Sequence, residues 1–340
     1  MIRKAVSLKD LAQELNVSVS TVSRALKNHP DISQEVIDKV KALAKERNYR
    51  SANFAETTHL TSTKAIGVIV PNLERSFYSS IISGIENYAK RKGYFIIIAN
   101  SRESYDKEKE CVENLIGLNV EGLIMCLSQE TQDNSHFDLA RSKDIPVVFF
   151  DRVCRTNEFS SVVANNSEAA KDLTNHLYET GSRRIAHIAG PKKLSITRDR
   201  VSGYLSGLQE NDLKYNEEHL VYSDLTPVGA KKAIDKLMKS AETPDAIFCV
   251  NDTVAYVVMK ELKERGYKIP EDIAVTGFNN ELHSDFVEPT LTTVSHPTFE
   301  MGEETARLLI RQLQSEHKHS PRQIVMKTEL VIRESSIKNM

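Results

Sequence analysis

Apolar positions along the chain keep two different rhythms, and the change comes near residue 64. Before it the spacing is helical. In SLKDLAQEL, Leu8, Leu11, Ala12 and Leu15 recur every three or four residues behind Ser7, which is suited to cap a short amphipathic helix. Asn16 and Val17 interrupt that helix. Ser18 can then cap a second one, whose narrow apolar face is Val22, Ala25 and Leu26 while Ser20, Thr21, Ser23 and Arg24 point elsewhere. Two short helices joined by a tight turn cannot bury both faces alone. Val36, Ile37, Val40, Leu43 and Ala44 within 33–48 predict a third helix to cover them, so the pattern is helix-turn-helix.

Residues 50–64 are polar and rich in Ser and Thr, and read as a linker. From Ala65 unbroken apolar strands alternate with amphipathic helices: AIGVIV, a helix over 77–92, YFIIIA, a helix over 106–118, GLIMC, and PVVFFD ending at Asp151. Such strands imply a parallel sheet covered on both faces. The pattern restarts with SSVVA at Ser160 and runs through a helix over 167–179, RRIAHIAG, a helix over 200–210, HLVYS, a helix over 228–239, AIFCV, a helix over 253–265 and IAVTGF. TTVSHP, a helix over 299–312, QIVMK and ELVIRES complete it. The expected fold class is α/β: an all-α headpiece followed by two doubly wound lobes.

Length agrees with that division, since 340 residues exceed one average domain. Net charge is −2, but residues 1–64 carry 11 Lys/Arg against 7 Asp/Glu, so the basic surplus lies with the helix-turn-helix. A surplus of that size is weak support for a nucleic-acid partner by itself, and the motif carries the reading. Cys111, Cys126, Cys154 and Cys249 show no CxxC spacing, which fits a reducing cytoplasm. No apolar run is long enough to span a bilayer, and MIRKAVSLKDLAQ lacks the apolar core of a signal peptide.

A doubly wound sheet also houses enzymes, but the spacing needed is missing. No two of the 13 glycines are two residues apart, and Gly117 with Gly122, spaced as in a phosphate loop, is followed by Leu123 rather than Lys. The ten histidines form no HExxH, and His317 with His319 sits in a polar stretch. No catalysis, cofactor or metal is expected.

The second helix has chemistry to offer DNA. Ser18, Thr21 and Ser23 carry hydroxyls that can meet phosphate oxygens, and Arg24 has the planar fork that pairs with a guanine edge or a phosphate. The stretch SLKDLAQELNVSVSTVSRALKNHPDISQEVIDKVKALAKERNY, Ser7 to Tyr49 without a gap, resembles the DNA-binding headpiece of the lac repressor (LacI/GalR) family. In the body, PNLERSFYSSIISGIENYAKRKGY, DAIFCVNDTVAY, KIPEDIAVTGFNN and PTLTTVSHP resemble the ligand-binding core of the same repressors, a fold related to periplasmic sugar-binding proteins.

The resemblance implies a headpiece over 1–49, a hinge over 50–64 and a core over 65–340, with an N-lobe at about 65–155 and 296–318 and a C-lobe at about 156–292 and 322–340. Crossings between lobes are expected near 151–160, 288–295 and 315–323. It also implies a homodimeric repressor on a pseudo-palindromic operator, switched by a sugar or related metabolite between the lobes. Ser7, Ser18, Val19, Ser20 and Thr21, then Ser23, Arg24 and Asn28, become the headpiece residues expected on DNA, with Asn53, Phe54 and Thr58 from the hinge. Phe77, Tyr78 and Asp151 of one lobe, and Arg200, Asn251 and Asn279 of the other, become the effector candidates, while Asp252 is expected to cap the following helix. Core packing for Phe77, a cap for Asp151 and a salt bridge for Arg200 are the plainer alternatives. For the whole chain the alternative is a solute-binding protein without regulatory DNA binding.

Four positions depart from the family pattern. Asn279 stands where many sugar-responsive members have Asp, and Leu225 where an aromatic ring often stacks on the sugar. In the hinge, Ser51 takes the place of a proline and Thr58 that of the leucine wedged into the minor groove. Threonine offers a wedge less apolar area and lowers helix propensity, so a smaller operator bend is expected unless Phe54 or Leu60 substitutes.

Overall fold

A computed structural model describes residues 7–26, 28–47, 63–315 and 320–338. The chain divides into two compact units, Met1–Ser62 and Thr63–Met340. In the first, α1 (Leu8–Glu14), α2 (Val19–Leu26) and α3 (Gln34–Glu46) pack around Leu11, Val22, Ala25 and Val40. A capping box starts α1: the Ser7 hydroxyl accepts from the Asp10 amide at 3.3 Å, and the Asp10 carboxylate accepts from the Ser7 amide at 2.7 Å. The turn into α2 passes through Asn16 at φ 54°, a left-handed conformation that asparagine tolerates.

The second unit runs β1 (Ala65–Val70), α4 (Ser76–Arg91), β2 (Phe95–Asn100), α5 (Tyr105–Gly117), β3 (Gly122–Met125), α6 (His136–Ser142), β4 (Val147–Phe150) and β5 (Ser160–Ala164). Then come α7 (Asn166–Glu179), β6 (Ile185–Ala189), α8 (Ser195–Glu210), β7 (Leu220–Tyr222), α9 (Pro227–Leu237), β8 (Ala246–Cys249), α10 (Asp252–Glu264) and β9 (Ala274–Thr276). Last are β10 (Thr293–Ser295), α11 (Thr298–Leu313), β11 (Gln323–Met326) and β12 (Glu329–Val331). The N-lobe sheet is parallel, in the order β11-β5-β4-β3-β1-β2; the C-lobe sheet is β7-β6-β8-β9, beside an antiparallel β10-β12 pair. Every residue of β1 is buried, as expected for a strand covered on both faces. Gly84 of α4 and Gly302 of α11 let these helices touch backbone to backbone, since a Cβ on either would run into a carbonyl of the other helix. No helix among the described residues is long and apolar enough to cross a membrane.

The lobe boundaries need correcting. SSVVA does not open the second lobe, because β5 pairs with β4 and β11 in the N-lobe sheet. QIVMK likewise belongs to the N-lobe through β11, so 156–164 and 322–326 leave the C-lobe. The crossings fall at Asn165, at His296–Pro297 and at Lys327–Thr328, where the Asn165 side-chain oxygen accepts from both the amide and the hydroxyl of Thr328 at 2.9 Å. A parallel strand buried on both faces reads the same in either lobe, so its apolar pattern does not reveal which sheet it joins. Helix α8 begins at Ser195 rather than near Arg200, and α6 was not anticipated.

Candidate functional site

In the headpiece the outer side of α2 is a polar strip. The Ser18 hydroxyl accepts from the Thr21 amide at 3.1 Å, capping the helix, and lies 2.7 Å from the Ser20 hydroxyl and 2.8 Å from that of Thr21. Val19, 45% exposed, and Arg24 are at the surface while Val22 and Ala25 face the core; Thr21 and Ser23 are half-buried. Asn28 follows the helix at φ 53°, its side-chain oxygen accepting from Lys41 Nζ at 2.5 Å. Ser7 is engaged in its capping box. Asn53, Phe54 and Thr58, with Ser51, lie outside the described residues.

In the core, strand ends and helix starts of both lobes enclose a cavity of about 20 Å³. Phe77 and Tyr78 reach it from the start of α4, Asp151 from the end of β4, Arg200 from α8, Asn251 from the end of β8 and Asn279 from the loop after β9. All six effector candidates therefore meet at one place. Arg75, Arg152, Ile196, Thr197, Leu225 and Val250 complete the wall. Arg75 and Leu225 also line a wider outer cleft of about 730 Å³, and Arg75 donates to the Leu225 carbonyl across the lobes at 3.2 Å. Leu225 itself sits at φ 63°.

Three charged groups share this interior. Arg152 donates to both carboxylate oxygens of Glu103, at 2.7 and 3.1 Å, and to the Leu127 carbonyl. Arg200 makes no salt bridge among the described residues, against that alternative: it donates to Asn166 Oδ1 at 3.0 Å and the Val250 carbonyl at 2.6 Å. Burial pulls its pKa down to about 10, with Asp151 acting in the opposite sense, so it remains a cation at neutral pH. Burial also raises the Asp151 carboxyl, and the two arginines hold it down. Asp151 is no helix cap; it is buried at φ 57° with Cys126 Sγ 3.8 Å away. Phe77 is both core and wall, edge-on to Tyr78 and to His296.

Two cavity oxygens have no hydrogen-bond partner among the described residues, Asn279 Oδ1 and Thr197 Oγ1. A buried orphan of this kind costs about 1–3 kcal/mol, which a ligand group or a water can recover. Asn279 adds a backbone at φ 111°, a region costing a non-glycine residue on the order of 1–3 kcal/mol. One expectation is reversed: Asn251, not Asp252, caps α10, its side-chain oxygen accepting from the Val254 amide at 2.9 Å. Arg152 and Thr197 were missed by sequence reasoning. Arg152 follows Asp151 at the end of an apolar strand, a usable signal, whereas Thr197 was hidden by the late start assigned to its helix.

Comparison with known proteins agrees with both halves. Residues 7–51 match the bacterial regulatory proteins of the lacI family, and residues 174–336 match a periplasmic binding protein-like domain. The HTH-type transcriptional repressor CytR of Escherichia coli (strain K12) is 32% identical over 98% of this chain and 96% of its own length. The structure of the transcriptional regulator CelR in complex with cellobiose is similar with a TM-score of 0.74 at 28% identity, covering 97% of this chain and 99% of CelR. A periplasmic binding protein/LacI transcriptional regulator from Alkaliphilus metalliredigens QYMF, complexed with D-xylulofuranose, is similar with a TM-score of 0.69 at 30% identity, covering 81% of this chain and all of that one. These relatives are regulators rather than enzymes, and a full-length match to a repressor sets aside the solute-binding alternative. The chain belongs to the lacI family of bacterial regulatory proteins and is a DNA-binding transcriptional repressor.

Proposed function

We propose that the protein binds a pseudo-palindromic operator as a homodimer in the cytoplasm, and that a small sugar or related metabolite held between the lobes controls that binding. The observation that carries the effector half is the convergence of Phe77, Tyr78, Asp151, Arg200, Asn251 and Asn279, from both lobes, on one small cavity. A guanidinium, a carboxylate and planar amides suit vicinal hydroxyls, and aromatic rings suit the apolar face of a sugar. Cellobiose and D-xylulofuranose in the relatives support the same chemical class.

At about 20 Å³ the cavity has room for a water but not for a sugar, whereas the outer cleft of about 730 Å³ is of small-molecule size. A sugar reaching Arg200 therefore requires Arg75 to leave the Leu225 carbonyl and the lobes to part. The spacing of the lobes that admits a ligand thus differs from the spacing without one, so the ligand discriminates between two states, which is what a switch needs.

On the DNA side Val19, Ser20 and Arg24 are the proposed base readers, and Ser7, Ser18, Thr21, Ser23 and Asn28 are proposed to contact the DNA around them. One recognition helix reads too few base pairs for genome-scale specificity, and two copies supply a symmetric site. The hinge residues Asn53, Phe54 and Thr58 are proposed to follow the family role with a weak wedge. Selecting operators from random duplexes and footprinting the complex tests the first half; a thermal-shift panel of sugars and sugar phosphates tests the second. Two symmetric half-sites and at least one stabilising sugar are expected. An asymmetric site, or a panel without effect, contradicts the corresponding half.

A further inference from the structure

Behind the cleft, Asp252 is a buried carboxylate that does not line the interlobe cavity and yet ties together the pieces that build it. Its Oδ1 accepts from the Thr293 hydroxyl at 2.6 Å. Its Oδ2 accepts from the Glu281 amide at 2.6 Å and the Ser284 hydroxyl at 3.1 Å, while its own amide donates to the Phe278 carbonyl at 3.1 Å. These partners bracket Asn279: Phe278 precedes it, Glu281 and Ser284 follow it, and Thr293 lies on the strand alongside. The Thr293 hydroxyl also accepts from the Asn280 amide at 3.2 Å. Gly277 makes the room, since a Cβ there would run into Asp252 Oδ1.

The bracketed segment does not hold its shape by its own preference. Asn279 at φ 111° and Asn280 at φ 52° both sit in conformations that side-chain-bearing residues avoid, so the surroundings must over-determine them. The Asn279 amide donates to the Val294 carbonyl at 2.9 Å, which fixes where the segment starts but not the bend after it. Arg333 holds the Asn280 side chain from the far side at 3.0 Å. Between these two anchors Asp252 joins the bend to the start of α10, one residue beyond Asn251. Thr253, through the Glu281 carboxylate at 3.2 Å, and Tyr256, 2.9 Å from the Ser284 hydroxyl, add side-chain contacts further along the helix. Asp252 alone of the three accepts from a backbone amide of the bend.

We infer that Asp252 is a positioning residue for effector recognition: its carboxylate holds 278–284 in the bend that keeps Asn279 at the cavity, in register with Asn251. The inference rests on the effector reading of the cleft. Asp252 meets no ligand itself and acts through the two asparagines. Asp252→Ala removes all three accepted hydrogen bonds. Gly277→Ala leaves the carboxylate in the chain but drives it out of place. Asp252→Asn keeps an oxygen for the Glu281 amide and presents NH2 to Thr293, whose hydroxyl can turn to accept.

Amide hydrogen exchange on the full chain without ligand is the direct test. For Asp252→Ala and Gly277→Ala, exchange over 278–285 is expected to quicken by about tenfold, the loss of roughly one satisfied buried donor, with β6 and β8 unchanged. Asp252→Asn should stay within about twofold of wild type. Wild-type protection over 278–285 in both disruptive variants overturns the inference, and so does quickening that spreads equally to β6 and β8, which would mark a general loss of stability. If Asp252→Ala does not fold, Gly277→Ala decides. Calorimetry with cellobiose and with D-xylulose separates the two readings. A wild type that binds neither counts against the effector reading, while the exchange result still decides the positioning. Where one binds, the disruptive variants should lose about tenfold in affinity with ligand-free operator affinity kept; unchanged affinity overturns the inference.

Discussion

The Arg200 guanidinium lies 3.8 Å over the ring centroid of Phe278, and both side chains are buried. The stack, with the bonds to Asn166 and the Val250 carbonyl, locks the cation at the cavity wall before any ligand arrives. Lysine has neither the fork nor the flat face for this position. Arg200→Lys and Arg200→Ala should therefore both abolish the effector response. Arg200→Ala should also cost about 2–4 kcal/mol of stability by leaving two buried acceptors unpaired. Urea midpoints and calorimetry check this, and an Arg200→Lys variant that responds like wild type would remove the stack from the account.

His296 sits at a lobe crossing between the rings of Phe77 and Phe278, each 5.4 Å away, and neither ring nitrogen has a partner among the described residues. Burial, helped by Arg200, holds it down to about 3, and burial holds His187 down to about 4. Both bind protons near 6.5 when unfolded, so their contribution is complete above that pH and is lost as pH falls toward the folded values. Asp252, lifted to about 6 by burial, acts in the opposite sense, its contribution being lost as pH rises from 3.8 through 6. The two histidines outweigh it. The histidine share of stability should fall between pH 7 and 5, and His296→Leu should flatten that fall by about 1–2 kcal/mol relative to wild type. Urea titrations at the two pH values decide, and an unchanged pH slope in His296→Leu counts against the assignment.

Arg24 is exposed on the last turn of α2 and contributes nothing to the headpiece core. Arg24→Ala should weaken binding to a selected operator by about 1–3 kcal/mol while the helical circular dichroism is kept. A gel-shift titration with unchanged affinity would take Arg24 out of the readout.

The hinge calls for a gain-of-function test. Thr58→Leu restores an apolar wedge and should tighten operator binding and sharpen the bend, measured by end-to-end energy transfer on labelled duplexes. If wild type already bends its operator as sharply as the variant, Phe54 or Leu60 serves as the wedge.

How far these features could be read beforehand depended on what each residue advertises. The headpiece helices were legible because Ser7 and Ser18 mark their starts and their apolar faces are narrow. The six cavity positions were legible from their places at strand ends and helix starts and from the family resemblance, although a position is not a role. Helix α8 was not, because Gly203 and Gly207 press it against α7 while its other side meets the sheet, leaving little amphipathic contrast at its start. Asn251 and Asp252 were exchanged because either residue type caps a helix, and only the fold shows Gly277 making space for an inward carboxylate. Sheet membership of β5 and β11 depends on pairing between distant strands, to which local pattern is blind.

The central claim is that a ligand in the interlobe cleft governs DNA binding. Fluorescence anisotropy of a selected, labelled operator tests it most directly, titrated with wild type and with Arg200→Ala, each without ligand and with the panel sugar that most stabilises the wild type. A switch of ordinary strength changes operator affinity by about 5–150-fold. The account predicts a change within that range for wild type and none for Arg200→Ala. Equal wild-type affinity with and without a bound sugar, or an undiminished change in Arg200→Ala, would contradict it.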